Sequence, residues 1–485
     1  VKLWPGKRVE AGATLQTSLV WEDRWTRELF MNSRISGTSN IELIPEFAAK
    51  VGASLGAQVG MGQRVVISRD SDPGSRVLSR ALGTGLMSAG IIVVDMQQTP
   101  IPLTRHHLRD ARQSGGVHVR KNPMDRDRSD MIFFDSGGYD LPSSKGKSIE
   151  RYFFGEDFPR APFDKVGTIE FPAHTGEIYT KRFTGALDVA LITRAHFKIA
   201  IDYANGIAST IFPNILGAFG CEVVSMNAYL EPSRLTRGRE EFERSLRHLA
   251  NVVKSLSYQI GFILDAGGER VGVVDEIGNI YTNNSLLTLM TKLFLESEHK
   301  RGRTVGTIAV PVSATSEIEE LAAQHGVKII YTKNTHADMM RASTDDVSFV
   351  GGTLGGAIFP DYFFAVDGMF TVAKTLEMLA VLGKNLGEIA RDMPHHAQTR
   401  VQVQCPTEEL GRVMRHAMDH SQHMKKVLID GIKFYPHHDG AWVLVLPDKE
   451  RPYCTVLTDA ATQEEADALS KEYAGLVEEW RRAGS

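Results

Sequence analysis

Short aliphatic runs alternate along the chain with stretches whose apolar positions recur every three to four residues. One such arrangement occurs three times. Val65-Val66-Ile67 is followed by a helix-period stretch over 74–87, then by Ala89-Gly90 and Ile91-Ile92-Val93-Val94. Lys198-Ile199-Ala200-Ile201 precedes a helical segment over 207–217, then Gly220 and Val223-Val224. Thr307-Ile308-Ala309-Val310 precedes a helix over 315–324, then Gly326 and Ile329-Ile330. Each unit predicts strand, helix, glycine at the helix end, strand. The glycine suits a left-handed C-cap, and strands without polar alternation predict a sheet covered on both faces. Short strands joined through a helix must pair in parallel. The pattern therefore predicts three consecutive α/β domains.

The two ends of the chain differ from this plan. After Pro394 come strand-like runs at 400–404, 431–435, 441–446 and 453–458, with helices over 407–427 and 463–482. Strands clustered between two long helices predict a smaller α+β domain. At the other end Leu3, Val9 and Leu15 recur every six residues around Ala11-Gly12-Ala13. That hexad spacing fits a remnant coil of a left-handed β-helix, against the alternative of a stray strand with chance spacing. A lone coil cannot bury its face, so the first alternative makes 1–21 the end of an upstream module. The predicted division is 1–21 for the β-helix end, 25–155, 156–276 and 277–394 for the α/β domains, and 395–485 for the α+β domain.

Composition narrows the function classes. The 485 residues are 42% hydrophobic and 24% charged, with a net charge of -4, an ordinary globular profile. No global basic field draws nucleic acid or an anionic membrane. No apolar run approaches the ~18 residues of a membrane span. Cys221, Cys405 and Cys454 are few, odd in number and far apart, which predicts a reducing, cytoplasmic setting.

The segments that carry chemistry lie between the predicted elements. Gly115-Gly116-Val117-His118-Val119-Arg120-Lys121-Asn122-Pro123 is followed by Phe133-Phe134-Asp135-Ser136-Gly137-Gly138. Later come Leu264-Asp265-Ala266-Gly267-Gly268-Glu269-Arg270 and Gly352-Thr353-Leu354-Gly355-Gly356-Ala357, with Asp367-Gly368 beyond. Together with the three-plus-one domain plan, these resemble the α-D-phosphohexomutases, the phosphomannomutase and phosphoglucomutase family, over roughly residues 25–485. The first segment resembles the family's phosphoserine segment, the second its Asp-Gly-Asp-Gly-Asp-Arg metal loop, the third its sugar-binding loop. The similarity is greatest to the mutase-like half of bacterial mannose-1-phosphate guanylyltransferase fusions. That likeness implies an upstream nucleotidyltransferase and β-helix module.

The resemblance implies a serine that carries a phosphoryl group, and a divalent cation to offset the charge of the transferred oxygens. Against the family's Thr-Ala-Ser-His-Asn-Pro, this chain places Arg120 at the phosphoserine position, Lys121 at the histidine and Asn122 at the asparagine. A guanidinium stays cationic and is not a phosphoryl carrier in this role. The metal loop keeps Asp265, has Gly267 for its second carboxylate and Glu269 for its third, so Mg²⁺ is expected only if that thinned pair still binds. Thr353 and Gly355 stand where the sugar loop presents a Glu and a Ser. Leu446-Pro447-Asp448-Lys449-Glu450-Arg451-Pro452 stands where the family's phosphate clamp reads Arg-Pro-Ser-Gly-Thr-Glu-Pro.

Four frames without their reactive groups predict a non-catalytic phosphohexomutase-like module with a binding, regulatory or assembly role. The alternative is an active phosphomannomutase or phosphoglucomutase with a rearranged site. Candidate substrate and phosphate ligands are Arg120, Lys121, Asn122, Thr353 and Gly355, and candidate metal ligands are Asp265 and Glu269. Arg120 and Lys121 are expected side by side on a loop, where they hold a sugar phosphate or other anion. The chain is expected to form a homo-oligomer.

Other constellations read as structural. His416, His420 and His423 predict a solvated histidine-rich helix face more than a zinc site, which needs a fourth ligand. His395-His396 and His437-His438-Asp439 flank turns and are expected at the surface. Arg69-Asp70-Ser71-Asp72 reads as a capped turn before a helix.

Overall fold

The structure is a computed structural model. It describes residues 28–111, 113–437, 440–448 and 452–483, and before them two short strands, β1 (Arg8–Val9) and β2 (Arg24–Trp25), paired in parallel. The β-helix coil expected over 1–21 otherwise lies outside the described residues. The chain forms two compact units, Val1–Val274 with Asp367–Ala373, and Asp275–Val366 with Lys374–Ser485.

The first unit opens on a six-stranded sheet built from β3 (Arg34–Thr38), β4 (Arg64–Arg69), β5 (Ile92–Gln98), β6 (Gly115–Lys121), β7 (Arg128–Phe134) and β8 (Ile169–Glu170). Their order is β3-β7-β6-β4-β5-β8. β4 pairs in parallel with β5 and β6, whereas β7 is antiparallel to β6 and β3. Four helices accompany it: α1 (Pro45–Val59), α2 (Pro73–Ser88), α3 (Ile101–Asp110) and α4 (Ser143–Gly155). Asp72 caps α2 by accepting from the Ser75 N–H at 3.0 Å, and Pro73 opens the helix where an N–H is not needed. α1 and α2 touch backbone to backbone. A Cβ on Gly52 would lie 2.2 Å from the Leu82 carbonyl oxygen, and one on Gly85 2.0 Å from that of Ala49. Val65, Ile67, Val93, Val117 and Val119 of the sheet pack with Val51, Leu55, Leu82 and Leu86 of these helices into one buried core. Each such side chain contributes about 1.5–3 kcal/mol by leaving water.

A second sheet follows α5 (Thr175–Gly185) and α6 (Val189–Ala195). It contains β9 (Lys198–Asp202), β10 (Glu222–Met226), β11 (Ile260–Leu264), β12 (Val271–Asp275) and β13 (Ile280–Tyr281), in the order β10-β9-β11-β12-β13. α7 (Phe212–Ala218) and α8 (Arg239–Leu256) connect its strands. The helix expected over 207–217 is split into a 3₁₀ turn at Ile207–Thr210 and α7, because Pro213 has no N–H to continue the ladder.

In the second unit, α9 (Asn283–Lys300), β14 (Thr307–Pro311), α10 (Glu317–His325), β15 (Lys328–Thr332), α11 (His336–Ala342), β16 (Phe349–Gly351) and β17 (Ala357–Ile358) form the third α/β segment, with sheet order β15-β14-β16-β17. The expected parallel pair is present, β14 with β15. The glycines after the three repeated helices are left-handed, Gly90 at φ +78°, Gly220 at +71° and Gly326 at +67°. α12 (Gly368–Leu382) and α13 (Leu386–Arg391) lead to the last sheet. Its strands are β18 (Ala397–Gln404), β19 (Lys426–Val427), β20 (Ile432–Phe434), β21 (Trp442–Pro447) and β22 (Tyr453–Ala460), ordered β18-β22-β21-β20-β19 and antiparallel at every pairing. α14 (Thr407–His420) and α15 (Gln463–Arg482) share its core. This is the α+β domain the pattern predicts.

α14 ends at His420, earlier than expected, because the chain turns there to enter β19. His423 is thus off the helix, and the three-imidazole face does not form. The His420 ring packs 5.7 Å from Tyr473 and 5.6 Å from Trp480. Among the described residues no helix is long and apolar enough to cross a membrane.

Candidate functional site

Within the first unit, the segment that matches the phosphoserine loop is the end of a strand. β6 runs to Lys121, and its register with β7 sets Arg120 opposite Asp130 and Lys121 opposite Ser129. Consecutive strand residues point to opposite faces. Arg120 and Lys121 are therefore not the adjacent pair of loop cations that the sequence suggested. Lys121 Nζ reaches the Ser39 hydroxyl at 3.4 Å, and Ser39 Oγ lies 2.7 Å from Ser129 Oγ. Arg120 faces the loop between β11 and β12, with Nε 3.5 Å from Asp130 Oδ2 and Nη1 3.9 Å from Glu269 Oε2.

The carboxylates around Arg120 are held by other groups as well. Asp130 accepts from Asn122 Nδ2 at 3.0 Å, and Asn122 Oδ1 in turn accepts the N–H groups of Met124 and Asp125, fixing the turn. Asp265 Oδ1 accepts the N–H groups of Glu269 at 2.7 Å and Arg270 at 3.0 Å. Burial, then the neighbouring Glu269, push the Asp265 carboxyl above its ordinary range, while Arg270 and Arg120 act downward. Arg105, on α3, donates from Nη2 to Asp140 Oδ1 at 2.7 Å and lies 3.5 Å from Glu269 Oε1. Its Nη1 donates to the Gly138 carbonyl at 2.9 Å, and the guanidinium stacks 4.5 Å over the Phe134 ring.

A polar chain lies on the same strand, two residues before Arg120. His118 Nδ1 is 2.8 Å from Ser68 Oγ, which accepts from the Thr104 hydroxyl at 3.0 Å. Burial, reinforced by Arg120 and Arg105, pushes the imidazole down to about 3, so it is neutral in the folded chain. Ser68, Thr104 and His118 are buried. They support the strand and do not present a replacement nucleophile.

The donor set does not fit a divalent cation. A Mg²⁺ on Glu269 Oε2, at an ordinary distance of ~2.1 Å, would lie within about 6 Å of Arg120 Nη1. At an effective dielectric near 20 the repulsion there is ~5 kcal/mol or more. Asp265 has one oxygen committed to two backbone donors, and among the described residues no cluster of three His, Cys, Asp or Glu could hold a metal. Of the two expected metal ligands, Glu269 lies within ion-pair distance of Arg105 and Arg120, and Asp265 is bound by two backbone N–H groups.

Thr353 and Gly355 lie in the second unit, in the turn of the β16–β17 hairpin. Gly355 has φ +82°, a value that favours glycine, and Thr353 Oγ1 accepts from Asn334 Nδ2 at 2.7 Å. Of the segment matched to the phosphate clamp, residues 449–451 lie outside the described residues. His396, expected at the surface, is mostly buried and sits between Glu320 and Asp459. Sequence reasoning missed Arg105, Asp130 and Asp140. Alternation along β6 and β7 was the signal that could have found Asp130, since it needs only the register.

Family models for phosphoglucomutase/phosphomannomutase α/β/α domains I, II and III match residues 27–160, 177–278 and 282–396 in that order. A Pyrococcus furiosus protein named "Probable phosphoglucosamine mutase" is 28% identical over 459 residues, covering 93% of this chain and 97% of that protein. The Thermococcus kodakarensis phosphoglucomutase/phosphomannomutase is 27% identical over 445 residues, covering 90% and 96%. A crystal structure of a phosphoglucomutase/phosphomannomutase family protein from Burkholderia thailandensis aligns with a TM-score of 0.80 at 20% identity, covering 94% of this chain and 98% of that one. These relatives overturn the expectation of a non-catalytic module, because proteins matched over nearly their whole length bear the names of mutases. They also give no support to the resemblance to a guanylyltransferase fusion. Three domain matches in family order, on three α/β segments followed by an antiparallel α+β domain, establish that the chain belongs to the phosphoglucomutase/phosphomannomutase family.

Proposed function

We propose that the chain is a phosphosugar mutase, moving a phosphoryl group between the 1- and 6-oxygens of a hexose phosphate through a rearranged site. The observation that carries this reading is the continuity of the match, nine-tenths of this chain against almost the whole of relatives named for that reaction class. The chain's own residues give the rearrangement its form. Arg120 holds a fixed positive charge where the charge of a transferring phosphoryl group needs offsetting, and its ion-pair distances of 3.5 and 3.9 Å leave it loosely committed. The phosphoryl carrier is a group other than residue 120. A sugar phosphate is the ligand, and the division 25–155, 156–276, 277–394 and 395–485 is the domain plan that goes with this reading.

The test is conversion of glucose-, mannose- and glucosamine-1-phosphate, each with its 1,6-bisphosphate as primer. Primer-dependent formation of at least one 6-phosphate is expected, with a drop of about 10²-fold or more in Arg120→Ala, the scale of losing one transition-state charge donor. Failure of all three substrates would sink the proposal.

A further inference from the structure

We infer that the Arg120 guanidinium is a resident cation that stands in for a divalent ion, so that this site works without metal. The inference concerns the same site as the proposed mutase reaction and rests on that reading only for its consequence in turnover. Its basis is a complementary pair of residues. Gly267 stands where the family resemblance implies a second carboxylate, and Arg120 where it implies a phosphorylated serine. The two meet in space. A Cβ on Gly267 would lie 3.2 Å from Ile101 Cδ1, 3.5 Å from Arg120 Nη1 and 3.6 Å from Asp265 Oδ2. The room a second carboxylate would occupy is thus bordered by the guanidinium itself.

Charge and geometry agree with this exchange. A phosphoserine and one carboxylate carry about three negative charges that Arg120 and Gly267 do not supply, and the guanidinium adds one positive charge. The carboxylates that remain surround Arg120 from two directions. Asp130 comes from the partner strand β7, directly opposite in register, and Glu269 comes from the loop before β12. A guanidinium is planar, permanently charged and able to donate along several edges, so it can face carboxylates on one side and a phosphate on another. Arg120 is 15% exposed, while Asp130 is fully buried and Glu269 nearly so. The cation therefore lies on the solvent side of its counter-charges, as a ligand for an incoming anion must.

Metal binding can be measured without turnover. The full chain would be titrated with Mn²⁺ by electron paramagnetic resonance, and melted in Mg²⁺ and in EDTA. No bound Mn²⁺ at about 1 mM is expected, with the same melting temperature in both media. Arg120→Ser combined with Gly267→Asp is expected to bind Mn²⁺ about 10-fold or more tightly than the parent and to melt higher in Mg²⁺ than in EDTA. Arg120→Lys, which keeps the charge if the double variant fails to fold, is expected to bind no Mn²⁺. Parent binding below about 1 mM, or a parent melting temperature that rises with Mg²⁺, would overturn the inference. So would turnover lost in EDTA. Absence of turnover in both media would instead remove the mutase reading and leave the Mn²⁺ result to decide this one.

Discussion

Two cations, one in each unit, are held in opposite ways. In the second unit Lys433 is fully buried, with Nζ 3.2 Å from Glu319 Oε1 and within 4.2 Å of the Trp442 ring centre and 4.9 Å of that of Tyr331. The same carboxylate oxygen accepts the hydroxyls of Tyr331 at 2.6 Å and Tyr435 at 2.8 Å. That acceptor is saturated. In the first unit Arg120 meets its carboxylates at 3.5 and 3.9 Å, longer than the 2.7–3.2 Å of a good hydrogen bond, and keeps some exposure. A charge whose partners are all inside the protein serves the fold. One left loosely held beside solvent is arranged for something the fold does not supply.

The largest expected effect tests that difference directly. Lys433→Met removes the cation from among three aromatic rings and leaves the partly buried Glu319 unpaired, so a loss of about 2–4 kcal/mol is expected in urea unfolding. Adding Glu319→Leu should return much of it. Arg120→Ala leaves Asp130 with Asn122 and Glu269 with Arg105, so a loss of only about 1–2 kcal/mol is expected. Equal losses in the two single variants would erase the distinction.

The units should also answer pH in opposite directions. His396 Nε2 is 2.7 Å from Glu320 Oε1, and Nδ1 is 3.1 Å from Asp459 Oδ1. The contact with Asp459, helped by Glu320 and opposed by burial, lifts the imidazole to about 9. Its folded value lies above the unfolded 6.5, so its contribution is complete below pH 6.5 and is lost as pH rises through 9. His118 and His106 of the first unit are pushed down to about 3, chiefly by burial. They stay neutral in the folded chain while the unfolded chain takes up protons, so stability is lost as pH falls from 6.5 toward 3. Hydrogen exchange resolved by peptide should show the second unit loosening first in base and the first unit in acid. His396→Gln should flatten the alkaline limb, and an unchanged limb would refute its assignment.

What the sequence disclosed divides along the same line. Local pattern was enough for the strand–helix–glycine–strand units, the left-handed Gly90, Gly220 and Gly326, and the antiparallel last domain, since each depends on neighbours within a few positions. The partners of charged residues depend on pairing register and on distant segments. Reading 118–123 as a loop hid the alternation that separates Arg120 from Lys121 and pairs Arg120 with Asp130. His396 looked like a turn residue because both of its acidic partners lie more than sixty positions away, at Glu320 and Asp459.

The smallest expected effect concerns the loop that adjoins the end of β6. Asp70, read from the sequence as part of a capped turn, accepts the Lys121 N–H at 2.6 Å and the Asp72 N–H at 3.0 Å, and burial lifts its carboxyl to about 6. The unfolded value is 3.8, so ionising this group weakens the folded state, and stability is recovered as pH falls from 6 to 3.8. Asp70→Asn removes the buried charge but also replaces two charge-assisted bonds with weaker neutral ones, and the amide can present only one oxygen. The two effects nearly cancel above pH 6, where a net gain of no more than about 1 kcal/mol is expected. Below pH 4 the wild-type carboxyl is itself neutral, so the gain should vanish or reverse. Urea unfolding of both proteins at pH 8 and pH 4 measures the sign at each end. A destabilisation at pH 8 larger than at pH 4 would mean that the carboxylate is stabilising in its charged form, and that the first unit commits its buried charges as tightly as the second.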